Sequence, residues 1–259
     1  MYFVVQAGFL LEGVEVVVAA GSHREMDHFC HHHLQPRLEP IEPSPGAPRF
    51  WVAHLGNGLY QARRAEEPLE SPTSQPRALA QLANHLHLWV AEHCLNRIMI
   101  HAGVVAWGPR VLLLPGRSLA GKSTLVEALC RHGGTYWSDD LAVVHPQGRT
   151  TPYALPLSLR RGVNVVLPQL GDGQATAVAV LFSQFQPGGT NRLQALSPAA
   201  GLRQLLGHCP ALRTYPQRVL PIAAQLAHRV TFHQLQRGEA EGVVARVCSL
   251  LSTSSNVSR

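Results

Sequence analysis

The sequence predicts an α/β protein with a leaning toward α+β. A small β-rich region occupies residues 1–75, and a larger region over 76–259 is built around a strand, a glycine-rich loop and a helix. Three observations predict this. The segment GRSLAGKST, residues 116–124, follows the apolar run VLLLP and precedes the amphipathic stretch LVEALCRHGG. A strand before and a helix after is the setting in which G-x-x-x-x-G-K-[ST] cradles phosphate. The N-terminal stretches alternate apolar and polar residues with the period of two expected of half-buried strands. The composition, 46% hydrophobic and 15% charged over 259 residues, suits a packed core large enough for one big domain or a core domain with a small partner.

Taken in order, MYFVVQ and GVEVVVAAG read as strands, and RFWVAHLGNGLYQARR as a hairpin turning at Gly56-Asn57-Gly58. Between them the proline-crowded LQPRLEPIEPSPGAP reads as an extended loop, and HFCHHHL, residues 28–34, as a polar loop. EEPLESPTSQP separates this region from the next. Leu79, Leu82, Leu86, Val90 and Leu95 near helical spacing, with Pro76 at the start, predict a helix over 76–96. IMIHAGVVAWGPRVLLLPG reads as two strands joined at Trp107-Gly108-Pro109, the second delivering the chain to Gly116. A short helix from Lys122 stops at Gly133. Two strands flank the turn Pro146-Gln147-Gly148, and ATAVAVLFSQF is a buried strand. SPAAGLRQLLGHC is a helix capped by Ser197, and PQRVLPIAAQLAHRV a helix kinked or started at Pro221. VTFHQLQ is a strand and GEAEGVVARVCSLL a closing helix.

The net charge of +6 suits an acidic partner such as a polyphosphate nucleotide. No basic run exceeds two residues, and no recognition helix, zinc finger or ribonucleoprotein motif is present, so nucleic acid is not an expected partner. Five widely spaced cysteines without a C-x-x-C point to reduced thiols and the cytoplasm. The apolar N-terminus lacks a positive leading segment and is interrupted by Glu12 and Glu15, which fits neither a signal peptide nor a membrane span. A homo-oligomer is compatible with all of this.

Lys122 is the only lysine in the chain; every other basic residue among the 22 Lys and Arg is arginine. A compact ammonium and a broad guanidinium are not interchangeable in a tight phosphate cradle. The loop's backbone N–H groups and the positive end of the following helix form an anion site, with Gly116 and Gly121 allowing close approach. Lys122 would reach the β- and γ-phosphates of ATP, and Ser123 would hold Mg²⁺. Mg²⁺ needs one or two carboxylates besides, and Asp139-Asp140 in YWSDDLAVV supplies a pair. One would serve the metal and the other the acceptor hydroxyl as general base; the plainer alternative is that they cap a turn. Arg160-Arg161 could stabilise the transferring phosphoryl group, or form a solvated basic turn, and the same choice applies to Arg213 and Arg218. His28, Cys30, His31, His32 and His33 are metal-ligand types, but consecutive residues cannot all reach one tetrahedral ion. Phe50, Trp51 and Tyr60 read as core of a small sheet rather than as a peptide groove.

The order IHAGVV, then VLLLPGRSLAGKSTL, then GGTYWSDDLAVV resembles the catalytic domain of HPr kinase/phosphorylase and its relatives. That domain is similar in fold to ATP-type phosphoenolpyruvate carboxykinase. The layout also looks like the HPr-kinase-like enzymes encoded near ribosomal peptide clusters, including lasso-peptide tailoring kinases. The resemblance covers about residues 98–145. It implies that Gly116, Arg117, Ser118, Leu119, Ala120, Gly121, Lys122, Ser123 and Thr124 bind ATP and magnesium. It further implies that Asp139 deprotonates a serine hydroxyl, that Asp140 sits with Ser123 on the metal and phosphate side, and that His101 supports this cluster. Arg160 joins the expected catalytic set. The expected activity is an ATP- and Mg²⁺-dependent kinase of a serine hydroxyl on a peptide or small protein, with residues 1–75 helping to recognise it. A small-metabolite kinase on the same scaffold and a non-catalytic, nucleotide-gated binding partner are the alternatives.

Overall fold

A computed structural model of the chain describes residues 5–34, 38, 40–116, 121–153, 155, 157–158, 164–165 and 173–253. It is a mixed α/β structure with two mixed sheets and six helices among the described residues. The chain divides into two compact units, Met1–Cys94 and Leu95–Arg259.

The first unit carries strands β1 (Val5–Leu11) and β2 (Val14–Ala20), helix α1 (His23–His33), strands β3 (Pro40–Ile41), β4 (Arg49–Gly56), β5 (Leu59–Arg64) and β6 (Glu67–Pro68), and helix α2 (Gln75–His93). The sheet order is β3-β1-β2-β4-β5-β6. The β4–β5 hairpin turns where expected, with Asn57 and Gly58 both at positive φ, +52° and +71°, the backbone that a tight turn matching strand twist requires. Helix α2 packs on β4 and β5 through Ala78, Leu82, Leu86 and Val90, all buried. The helix that the sequence grouped with the catalytic region therefore belongs with the N-terminal sheet, and the division falls after it. Phe50 and Trp51 are core side chains, the indole N–H of Trp51 donating to the Ala65 carbonyl at 2.7 Å, while Tyr60 is half-buried against the His54 ring.

One expectation is overturned here. The histidine-rich segment is not a loop but α1, capped by Ser22, whose hydroxyl accepts from the Glu25 N–H at 3.2 Å. Met26 and Phe29 supply its buried face, and the histidines disguise a three-residue apolar spacing. His33 lies against α2, and burial together with His32, His28 and His87 pushes its pKa down to about 4. Among the described residues no cluster of three or more His, Cys, Asp or Glu side chains could hold a metal ion.

The second unit carries β7 (Ile98–Trp107), β8 (Arg110–Pro115), α3 (Lys122–Arg131), β9 (Thr135–Ser138), β10 (Leu141–Val144), β11 (Arg149–Thr151), β12 (Leu157–Ser158), β13 (Asn164–Val165), β14 (Ala175–Phe185), β15 (Arg192–Leu196), α4 (Pro198–Leu206), α5 (Pro216–Ala227), β16 (Thr231–Arg237) and α6 (Val244–Thr253). An eight-stranded sheet runs β11-β10-β7-β8-β14-β16-β15, with β9 on β7 beside β10. β8, β14 and β16 are mutually parallel in sequence across the sheet. Both faces are covered. Val111 and Leu113 of β8 face a layer containing Val219, Ala223 and Leu226 of α5; Leu112 and Leu114 face Leu125 and Leu129 of α3 and Val247 of α6. A strand buried on both faces has no polar phase, which is why VLLLP reads as an unbroken apolar run. Pro221 lies inside α5 rather than at its start. The helix α4 has Ser197 as its cap, the hydroxyl accepting from the Ala200 N–H at 3.3 Å.

No helix among the described residues is long and apolar enough to cross a membrane. All five cysteines are free thiols.

Candidate functional site

The central parallel strand β8 ends at Pro115-Gly116, and α3 starts at Lys122. Gly116 donates its N–H to the His101 carbonyl at 3.4 Å, which ties the start of the loop to β7. Arg117, Ser118, Leu119 and Ala120 lie outside the described residues. At the other end Gly121 caps α3 in the left-handed region, φ +78°, and no side chain caps the helix. The first bond inside the helix is Leu125 N–H to the Gly121 carbonyl, 3.2 Å. The N–H groups of Lys122, Ser123 and Thr124 precede that bond, so they present the positive end of the helix dipole to an anion.

Gly121 is required twice over. Its positive φ strains any L side chain, and an added Cβ would stand 2.5 Å from a guanidinium nitrogen of Arg237. Arg237 is 1% exposed at the carboxyl end of β16. Its N–H groups donate to the Gly121 carbonyl (2.7 Å), the Gly238 carbonyl (2.8 Å) and the Ser183 hydroxyl (3.1 Å). Burial pulls the Arg237 pKa down, with Glu239 opposing. Its bonded guanidinium pins the loop's exit to β14 and β16. A long sequence separation hides this contact from any local motif.

Helix α3 also needs a close approach on the β7 side. A Cβ on Gly103 would meet Val126 Cγ2 at 2.7 Å and Lys122 Cγ at 3.3 Å. The glycine of IHAG thus lets the helix that carries Lys122 and Ser123 settle against the strand that carries His101.

Asp139 and Asp140 sit at the break between β9 and β10, both of which pair with β7. In a regular strand neighbours point to opposite faces. Here the chain bends, held by the buried Ser138, whose hydroxyl accepts from the N–H groups of Asp140 (3.2 Å) and Leu141 (3.1 Å). The two carboxylates go to different partners. Ser123 Oγ donates to Asp139 Oδ2 at 2.9 Å. His101 Nδ1 lies 3.1 Å from Asp140 Oδ1, and the Asp140 carbonyl accepts from the Ala102 N–H at 3.0 Å. Asp139 is 8% exposed, whereas the Asp140 side chain is 40% exposed. The site therefore contains one buried carboxylate on the loop's hydroxyl and one part-exposed carboxylate beside a histidine.

Burial raises the Asp139 pKa above its ordinary value near 3.8; the Ser123 hydrogen bond and the Lys122 charge oppose this, Asp140 adds to it, and the Tyr136 contact opposes it. The Tyr136 hydroxyl lies 3.2 Å from Asp139 Oδ1 and 2.7 Å from the Leu155 carbonyl oxygen. A phenol has one proton, and a carbonyl can only accept, so it cannot serve both partners fully. Burial, with the Asp139 charge next, drives the Tyr136 pKa well above 10.

A group that binds its proton more tightly folded than unfolded stabilises the fold below its unfolded pKa, and that stability is lost as pH rises through the folded value. Asp139→Asn removes the charge, keeps an acceptor for Ser123, and offers an N–H to the Tyr136 oxygen. We expect its melting temperature to exceed that of wild type near neutral pH, by about 2 °C or more, and the gap to close as pH falls toward about 4. Scanning calorimetry across that range checks it; a variant less stable than wild type at neutral pH contradicts the account of a buried, charged Asp139.

The expected set is thus brought together in part. Gly116, Gly121, Lys122, Ser123, Asp139, Asp140 and His101 share one end of the sheet, and Thr124 lies exposed on the first turn of α3. Arg160 and Arg161 lie outside the described residues. Arg213 is exposed, and Arg218 stacks on the Tyr215 ring, 3.7 Å from its centroid. Residues that sequence reasoning missed are Ser138, Tyr136, Gly103 and Arg237. A search against protein-family models finds no match, and a search of curated proteins finds none either.

Proposed function

We propose that the Leu95–Arg259 unit is a P-loop kinase core of the HPr kinase type. It would transfer the γ-phosphate of ATP, with Mg²⁺, to a serine hydroxyl of a peptide or small protein. The single observation that carries this is the pairing of the two adjacent carboxylates: Asp139 with the hydroxyl that follows Lys122, and Asp140 with His101. A capping role for the aspartates would not need a loop hydroxyl on one and a histidine on the other.

The donor set fits Mg²⁺. A serine hydroxyl and a carboxylate are hard oxygen ligands, and Mg²⁺ takes one or two carboxylates with substrate phosphates and water rather than a full protein cage. Ser123 and Asp139 would hold it, and when bound it would neutralise charge on the β- and γ-phosphates. Lys122 and the N–H groups of the first turn of α3 would bind and orient the triphosphate. Asp140 is the more exposed carboxylate, and it would accept the serine proton while His101 orients it. This assignment reverses the two aspartate roles that the resemblance implies, and it rests on which partner each carboxylate has. Residues 1–94 would present the peptide, since extended peptides add readily to sheet edges.

The test is incubation of the protein with MgATP and a library of serine-containing peptides, read by mass spectrometry. The expected product is a peptide with one added phosphate on serine, formed only with Mg²⁺ present. Consumption of ATP with phosphate appearing on free amino acids or sugars, and on no peptide, contradicts the peptide reading.

A further inference from the structure

We propose that Phe185 is the platform on which the base of the nucleoside triphosphate stacks, at a shelf made by the carboxyl ends of β14 and β16. The proposal rests on the triphosphate reading of the Gly116–Thr124 loop and adds to it the place of the nucleoside.

The topology leaves one side of the loop for it. In parallel sheets ligands bind at the carboxyl ends of the strands. β8 delivers the loop from its carboxyl end, and β14 and β16 run parallel to it. On the other side of β8, the segment from β7 through β10 holds His101, Asp139 and Asp140, the proposed metal and acceptor side. A nucleotide whose γ-phosphate points toward those carboxylates has its nucleoside on the β14 and β16 side.

The side chains there suit a base. β14 pairs with β8 over Thr176–Val180 and then runs on to Phe185, paired with β16 to the Phe185–Arg237 position. This overhang stands beside the loop's exit: Phe185 Cβ lies 3.2 Å from where a Cβ on Gly121 would be. Phe185 is 39% exposed and is the only aromatic among the exposed large hydrophobic side chains of the described residues. Beneath it the Arg237 guanidinium lies 5.4 Å from the ring centroid, and its three hydrogen bonds fix it there. A cation held on one face of the ring is itself favourable and leaves the other face for a π system. Every base has such a face, so stacking holds purines without reading their edges.

The test uses the full-length protein and three probes, MgATP, MgGTP and magnesium tripolyphosphate, titrated by calorimetry into wild type, Phe185→Ala and Phe185→Trp. Phe185→Ala should weaken both nucleotides by the same factor, about tenfold, and leave tripolyphosphate unchanged. Phe185→Trp should keep nucleotide affinity and show quenching of the new indole on binding. If Phe185→Ala fails to fold, Phe185→Leu gives the same readout, since it removes the π face and keeps apolar bulk. Unchanged ATP affinity in the variant, or an equal loss for tripolyphosphate, overturns the platform while leaving the triphosphate reading intact. Wild type that binds none of the three probes removes both.

Discussion

Replacing Asp140 with asparagine should lower phosphoryl transfer by about 10²–10⁴-fold, the range of a lost general base, with MgATP affinity nearly unchanged. Asp140 is the more exposed of the two carboxylates, and His101 Nδ1 lies 3.1 Å from one of its oxygens. An asparagine keeps the shape and the histidine contact but cannot accept the serine proton. Asp139→Asn should behave differently. It disturbs the carboxylate bonded to Ser123, so its defect should appear as a raised Mg²⁺ requirement that added metal partly rescues. Single-turnover transfer measured across a range of Mg²⁺ separates the two. If Asp139→Asn shows the metal-independent loss and Asp140→Asn the metal-dependent one, the roles are those that the family resemblance implies, and the geometric argument fails.

Lys122→Ala should weaken MgATP binding by roughly ten- to a hundredfold, the worth of a charge-assisted hydrogen bond, and lower transfer by a further factor of about 10²–10³ as charge builds on the transferring group. Lys122→Arg should not restore it. A planar guanidinium is broader than the ammonium it replaces and presents its donors in a fixed fork rather than as a compact point charge. Retention of transfer by the arginine variant would show that only charge matters at this position, and not shape.

Much of the fold was legible because its signals are local. The period-two alternation around Val14–Ala20, the apolar run ending at Pro115 and the Ser197 cap each carry their own evidence within a few residues. The loop's ends and the aspartate pair were legible for the same reason. Helix α1 was not, because its buried face needs only Met26 and Phe29 and the surrounding histidines mask the period. The grouping of α2 was not, because an amphipathic helix does not state which sheet its apolar face will cover. Arg237 and Gly121 are separated by 116 residues and meet only through the parallel placement of β8, β14 and β16. The division of labour between Asp139 and Asp140 depends on a bend made by Ser138, and side-by-side letters in a sequence carry no direction.

We infer that the loop at the carboxyl end of β8 binds a magnesium nucleoside triphosphate through Lys122. Calorimetric titration of MgATP into the wild-type protein and into Lys122→Ala tests it most directly. The expected result is one nucleotide per chain for the wild type, dependence on Mg²⁺, and at least about tenfold weaker binding for the variant. Absence of binding by the wild type, or equal affinity in the two proteins, would contradict it.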